Sequence, residues 1–262
     1  MSGASIADPY YTISIGIRII SLASSPQQLL RWAIEEFGSS FAVTTSFQKE
    51  GMVIVDMAAQ IDPGVRVITL DTGRLPEETY AMMETVRERY GIRVEAIAPR
   101  KEEVEAMTRQ HGPNLFYRED TLRKLCCEIR KVRPMNAALH GLRAWAVGLR
   151  RSQSEARAEV QEKELVEGRY KLSPLAAWTR EQVEDYIEAN GVPVHPLYAR
   201  GYTSIGCAPC TRAVEAGEDE RAGRWWWELD AVKECGLHVA PDGRIRRALD
   251  VKLEEVLSAR NA

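Results

Sequence analysis

The chain has 262 residues, 45% apolar and 28% charged, the balance of a globular protein that can bury a sizeable core. Its net charge of −3 offers no global field for nucleic acid or anionic lipid, so an anionic ligand must be held by a local cluster. No segment approaches the ~20 apolar residues of a membrane span and the start lacks signal-peptide features, so a cytoplasmic protein with no membrane or nucleic-acid partner is expected.

Residues 1–25 read as an N-terminal extension without an assigned role. Ser25 to Phe37 predicts a helix with Pro26 at its start. Phe41–Phe47 predicts a strand, Met52–Ile61 a helix and Val65–Leu70 a second strand. A helix follows over Pro76–Tyr90, ended by Gly91. Arg93–Ile97 reads as a strand and Lys101–Gln110 as a helix. Leu122–Leu142 looks helical with an interruption near Pro134. Ala144–Gly148 reads as a fourth long strand, Lys171–Leu175 as a short edge strand, and Thr179 opens a capped helix to Asn190.

This alternation predicts an α/β fold over 26–200, a parallel twisted sheet with helices on both faces. In such sheets ligands sit at the carboxyl ends of the strands. That places Thr44–Gly51, Leu70–Arg74 and Gly148–Ser154 around one site. From Gly191 the pattern becomes loop-rich. Residues 201–262 read as a C-terminal segment folding back on the same domain, ending in an amphipathic helix over Asp250–Arg260.

Five cysteines stand out, an odd number without a secretory signal, which argues for metal or chemistry rather than a disulfide framework. Cys126-Cys127 lies in a helical stretch and Cys207-Ala-Pro-Cys210 in a loop. Four thiolates suit an iron–sulfur cluster or zinc. Adjacent helical cysteines point about 100° apart, an unusual arrangement for one zinc ion. Cys-Ala-Pro-Cys also allows a thioredoxin-type redox pair, but only 52 residues follow Cys210. Cys235, in Lys233-Glu-Cys-Gly-Leu-His238, is either an inert thiol or a nucleophile favoured by its basic neighbours.

The charge is uneven. Residues 118–151 hold nine Lys/Arg against three Asp/Glu. Arg130 and Lys131 each follow a cysteine by four residues, so on a helix each shares that cysteine's face. Arg150-Arg151, Arg157, Arg221 and Arg224 are further candidates, although any one arginine is more commonly a solvated surface charge. Trp225-Trp226-Trp227 reads mainly as packing. Thr44–Gly51 joins a strand to a helix, a junction that presents N–H groups to anions.

Taken together, Cys126-Cys127-Glu-Ile-Arg-Lys131, Gly148-Leu-Arg-Arg-Ser-Gln-Ser154, Cys207-Ala-Pro-Cys210 and Lys233-Glu-Cys-Gly-Leu-His238 resemble the assimilatory adenylyl-sulfate reductases, relatives of the phosphoadenylyl-sulfate reductases. Leu70-Asp-Thr-Gly-Arg74 and Glu220–Trp227 match as well. The resemblance implies an adenine nucleotide α-hydrolase-like fold with Thr44–Gly51 as a modified pyrophosphate loop. It implies a [4Fe–4S] cluster on Cys126, Cys127, Cys207 and Cys210. It implies that Cys235 attacks adenylyl sulfate, releases AMP and leaves an S-sulfocysteine, which thioredoxin or glutaredoxin reduces to free sulfite. His238 and Lys131 match active-site residues of the family. Substrate binding is expected at Thr45, Ser46, Leu70, Asp71, Arg74, Lys131, Gly148, Arg157, Arg221 and Arg224. Ser152 stands where many members carry aspartate, and the Ser46–Gly51 loop departs from the commoner small-residue version. Rival readings are a phosphoadenylyl-sulfate or dual-substrate reductase, an RNA sulfur-insertion enzyme, and a zinc-stabilised module without catalysis. A homo-oligomer stays open.

Overall fold

A computed structural model describes residues 25–228 and 243–259. Helix α1 (Pro26–Phe37) begins where Ser25 Oγ accepts the Gln28 N–H and Gln28 Oε1 accepts the Ser25 N–H, a reciprocal cap. Strands β1 (Phe41–Thr44), β2 (Val67–Leu70), β3 (Val94–Ile97), β4 (Ala144–Val147), β5 (Lys163–Val166) and β6 (Arg169–Leu172) form one sheet in the order β3-β2-β1-β4-β6-β5. All neighbours are parallel except β5 with β6.

The sheet buries both faces by the two-residue period of its strands. Phe41, Val43, Ala144 and Ala146 join a core with α1, α2 (Lys49–Ile61) and α7 (Arg180–Asn190). Ala42, Trp145 and Val147 point the other way, against Leu139 of α6 (Arg133–Leu139) and Leu142. Helix α3 (Glu77–Tyr90) ends at Gly91, left-handed at φ 70°. Helix α4 (Lys101–His111) and helix α5 (Asp120–Cys127) pack with α8 (Gly243–Ala259) in a third apolar cluster that contains Cys126, Cys127, Cys207 and Cys210.

Two elements differ from the sequence expectation. Arg169–Leu172 is not an edge strand. It lies between β4 and β5, and β5 takes the edge. The β5–β6 hairpin turns on Glu167 and Gly168, both at positive φ (49° and 77°). As expected, the helical run is interrupted near Pro134, which stands in the first turn of α6 and offers no N–H to the turn before it. The irregularity is a π turn over Glu128–Val132, just after the cysteine pair. Helix α8 starts at Gly243, earlier than the expected Asp250.

Candidate active site

The strand order reverses at β1: β2 lies on one side and β4 on the other. At that switch point a cavity of about 210 Å³ opens at the carboxyl ends of the strands. Its floor is Thr44 and Thr45 after β1, Thr69 and Leu70 of β2, and Val147 and Gly148 after β4. Gly148 is required for the close approach of two segments, because a Cβ there would lie 2.8 Å from the Gly51 nitrogen. The loop after β1 is held by Thr45 Oγ1, which accepts the Phe47 N–H at 2.9 Å. Phe47 is left-handed at φ 58°, a strained position for a residue with a Cβ. Gln48 Oε1 accepts the Ile205 N–H at 2.8 Å and so ties this loop to the C-terminal part of the chain.

Around the floor stand Lys131, Arg157, Arg221 and Arg224. Arg157 and Arg224 are buried. The Arg224 guanidinium rests on the Trp225 ring, 4.6 Å from its centroid, and Nη1 donates to Ile205 O at 3.3 Å. Its path crosses Gly206, where a Cβ would stand 2.3 Å from Nη2. The lining also carries two acids to which sequence reasoning gave no role, Glu50 and Glu220. Glu50 pairs with buried Arg150 at 2.7 Å, and Glu220 stands 4.0 Å from the same guanidinium. Burial, then the Glu50 charge, raises the Glu220 carboxyl above the usual range despite Arg150, Arg180 and Arg221. Burial, then Glu50, raises the Tyr198 phenol. The cavity lining therefore carries buried acids beside its cations, with Lys131 on the side shared with the cysteines.

A second, smaller cavity adjoins the first. Cys126 and Cys127 end α5, Cys207 and Cys210 flank a short turn, and all four are buried and line this space with Arg123, Arg130 and Lys131. Lys131 lines both cavities. Burial, then the neighbouring Cys127, pushes the Cys126 thiol up to about 12; burial, then Cys207, does the same to Cys210. Burial also acts against the Cys207 thiolate, but Lys131, the Thr72 hydroxyl at 3.2 Å and Arg224 outweigh it and lower the thiol. Buried Arg123 is held by Glu228 at 2.9 Å and stacks on Trp225. Arg130 Nη1 donates to Thr72 O at 2.7 Å. Arg130 Nε and the Trp225 indole N–H, both buried, have no hydrogen-bond partner among the described residues. No three His, Cys, Asp or Glu side chains among those residues converge closely enough to hold a single metal ion.

The structure thus brings Thr45, Ser46, Leu70, Lys131, Gly148, Arg157, Arg221 and Arg224 to one cavity. Asp71 and Arg74 stand apart from it. Asp71 Oδ1 accepts the Gly73 N–H and the Tyr80 hydroxyl, each at 2.8 Å. Arg74 lines the cysteine cavity and donates to Pro113 O and Asn114 Oδ1. Cys235 and His238 lie outside the described residues, as does the extension 1–24. Glu50 and Glu220 lie in the Thr44–Gly51 and Glu220–Trp227 stretches already singled out, but nothing in the sequence gave either carboxylate a role.

Comparison with known proteins bears on this site. The phosphoadenosine phosphosulfate reductase domain matches residues 40–213. An adenosine 5′-phosphosulfate reductase from Burkholderia cepacia is 49% identical over 197 residues, covering 74% of this chain and 79% of that protein. A solved phosphoadenylyl-sulfate reductase from Candida auris superposes with a TM-score of 0.61 at 31% identity, over 73% of this chain and 91% of that one. An FMN adenylyltransferase from Candida glabrata, solved with ATP, shares the fold alone (TM-score 0.50, 11% identity, 90% of this chain and 84% of that one).

Proposed function

This chain belongs to the phosphoadenosine phosphosulfate reductase family, and on that premise we propose that it reduces adenosine 5′-phosphosulfate to sulfite and AMP. The observation that carries the reading is Lys131, which lines the nucleotide-sized cavity and the four-cysteine cavity together. A sulfonucleotide at the strand ends would meet Lys131 on the side of its cavity shared with the thiols.

The residues present fit a [4Fe–4S] cluster. Four buried thiols surround one space, four cations line it and offset the charge of an iron–thiolate centre, and the buried Arg130 Nε of that lining has no hydrogen-bond partner among the described residues. Cys126, Cys127, Cys207 and Cys210 would hold it, and when bound it supplies rigidity and charge beside Lys131. Chemistry falls to the chain's own groups. The Cys235 thiolate attacks the sulfate sulfur, the bond from that sulfur to the bridging oxygen breaks, and AMP leaves with the electron pair. Lys131, Arg157, Arg221 and Arg224 screen the repulsion between anions and stabilise the equatorial oxygens. His238, three residues after Cys235 in the sequence, assists it. A dithiol partner, thioredoxin or glutaredoxin, then attacks the S-sulfocysteine, supplies two electrons and frees sulfite. Such chemistry belongs in a reducing cytoplasm.

Sulfite release from adenylyl sulfate with thioredoxin tests this. Wild type turns over, and Cys235→Ser loses at least ~10³-fold in kcat with iron and sulfide retained. Equal activity in the variant removes Cys235 from its role, and one zinc per chain in anaerobically prepared protein rejects the cluster. The Candida auris likeness favours one second reading, use of the 3′-phosphorylated nucleotide. The higher identity of the adenosine 5′-phosphosulfate reductase ranks it second, and a larger kcat/KM for the phosphorylated nucleotide would reverse that order.

A further inference from the structure

Arg150 is among the largest fully buried side chains, at 2% exposure, and it makes no direct use of its charge on the cavity floor. A buried guanidinium needs a carboxylate, and the one that meets it comes from a hundred residues away: Nε donates to Glu50 Oε1 at 2.7 Å. Nη1 donates to Ser152 Oγ at 2.6 Å. The backbone N–H of Arg150 donates to Gln153 Oε1 at 3.1 Å, and the same oxygen accepts from Arg157 Nη1 at 2.6 Å. Glu50 itself is anchored in the first turn of α2, and the adjacent Gly51 nitrogen meets Gly148 backbone to backbone.

The geometry points to Glu50 as a positioning residue that fixes where the Arg157 guanidinium stands in the nucleotide cavity, through Arg150 and Gln153. Glu50 joins the loop after β4 to the start of α2. Arg150 transmits that anchor along its own loop, and the Gln153 amide turns it into a fixed direction for Arg157. Without the carboxylate, Arg150 keeps Ser152 and is drawn to Glu220, 4.0 Å away across the cavity wall. The loop then follows Arg150, and Arg157 follows the loop. One feature makes the chain of contacts separable from mere burial of an ion pair. Ser152 already touches Arg150, so a carboxylate at residue 152 could neutralise the guanidinium from its own loop without tying that loop to α2.

This inference rests on the sulfonucleotide reading for its ligand, and ADP, whose β-phosphate stands in for the sulfate, reads it without turnover. Affinity for ADP is measured by calorimetry on the iron-loaded full chain, with KM and kcat for adenylyl sulfate alongside. Glu50→Gln is expected to weaken ADP at least tenfold and to raise KM by the same factor, with kcat changed less than KM. Glu50→Ala is expected to do likewise, and the double variant Glu50→Ala with Ser152→Asp, which gives Arg150 a carboxylate but no tie to α2, to stay at least tenfold weakened. Unchanged ADP affinity in folded Glu50→Gln overturns the proposal. So does a double variant that regains wild-type affinity, because Glu50 then only neutralises Arg150 and does not anchor its loop. If wild type binds ADP but does not reduce adenylyl sulfate, the functional reading fails while the Glu50 chain is still decided by the ADP series.

Discussion

The two adjoining cavities are built on different principles. The nucleotide cavity has a floor of strand ends and a glycine, and its loops are closed by hydrogen bonds already made, from Phe47 to Thr45 and from Ile205 to Gln48. The cysteine cavity is walled by side chains from α5 and a turn about eighty residues later, with two thiols pushed to about 12 and the buried Arg130 Nε without a partner among the described residues. The first site is a consequence of the topology. The second is a set of groups that the topology only assembles, and its stability depends on what those groups hold. Variants in the second should therefore fail together with its ligand, and variants in the first should fail one contact at a time.

The largest break is expected at Cys207. It touches Thr72, and its turn is bound to the strand-end loop by the Ala208 N–H to Arg74 O at 2.8 Å. Cys207→Ser should drop iron below about a tenth of the wild-type content and lower Tm by roughly 5 °C or more, because metal binding and folding are linked. Full iron content with unchanged Tm would mean that the cysteine cavity, like its neighbour, is made by the fold alone.

The next effect sharpens the other side. A Cβ at Gly148 meets backbone that cannot move without shifting α2, so Gly148→Ala should cost about 1–3 kcal/mol of stability. Its iron content should be unchanged in protein that folds. A Cβ at Gly206 meets only the far end of Arg224, so Gly206→Ala should leave Tm within about 2 °C yet raise KM about tenfold by moving that guanidinium. Denaturation and steady-state kinetics on the pair settle it. A Gly206→Ala variant that loses stability but keeps KM would show that Arg224 packs rather than binds.

How far each region could be read from sequence follows the same division. Strand ends, the capped helices α1 and α7 and the Gly91 stop are local patterns, and they appear where periodicity and capping chemistry place them. The cysteine pairs were visible as pairs, but their meeting is a tertiary fact. The Glu50–Arg150 and Arg123–Glu228 pairs span a hundred residues or more, and no spacing rule connects such partners. The β5–β6 hairpin was missed because Lys163–Val166 alternates weakly and the turn is Glu-Gly rather than Asn-Gly. Asp71 and Arg74 sit in a motif that matched, yet their side chains serve the loop and the cysteine side.

The smallest effect concerns His195, fully buried under the segment that brings Tyr198 to the nucleotide cavity. Its Nδ1 accepts the Leu197 N–H at 3.3 Å, which fixes the neutral ring with Nε2 toward Thr79 Oγ1 at 3.0 Å. Burial lowers its pKa below the ordinary 6.5, only weakly opposed by Glu78. Above pH 6.5 the ring is neutral folded and unfolded, and it contributes no pH dependence. Below pH 6.5 the unfolded chain takes up a proton that the folded chain resists, so stability is lost as pH falls. Tm measured between pH 7.5 and 5.5 should fall more steeply for wild type than for His195→Gln, which cannot titrate, by a few degrees at most. Parallel slopes would show that the ring is protonated in place. Below pH 6.5 the roof of the nucleotide cavity would then carry a charge, and the neutral hydrogen bonds of His195 would not be what holds it.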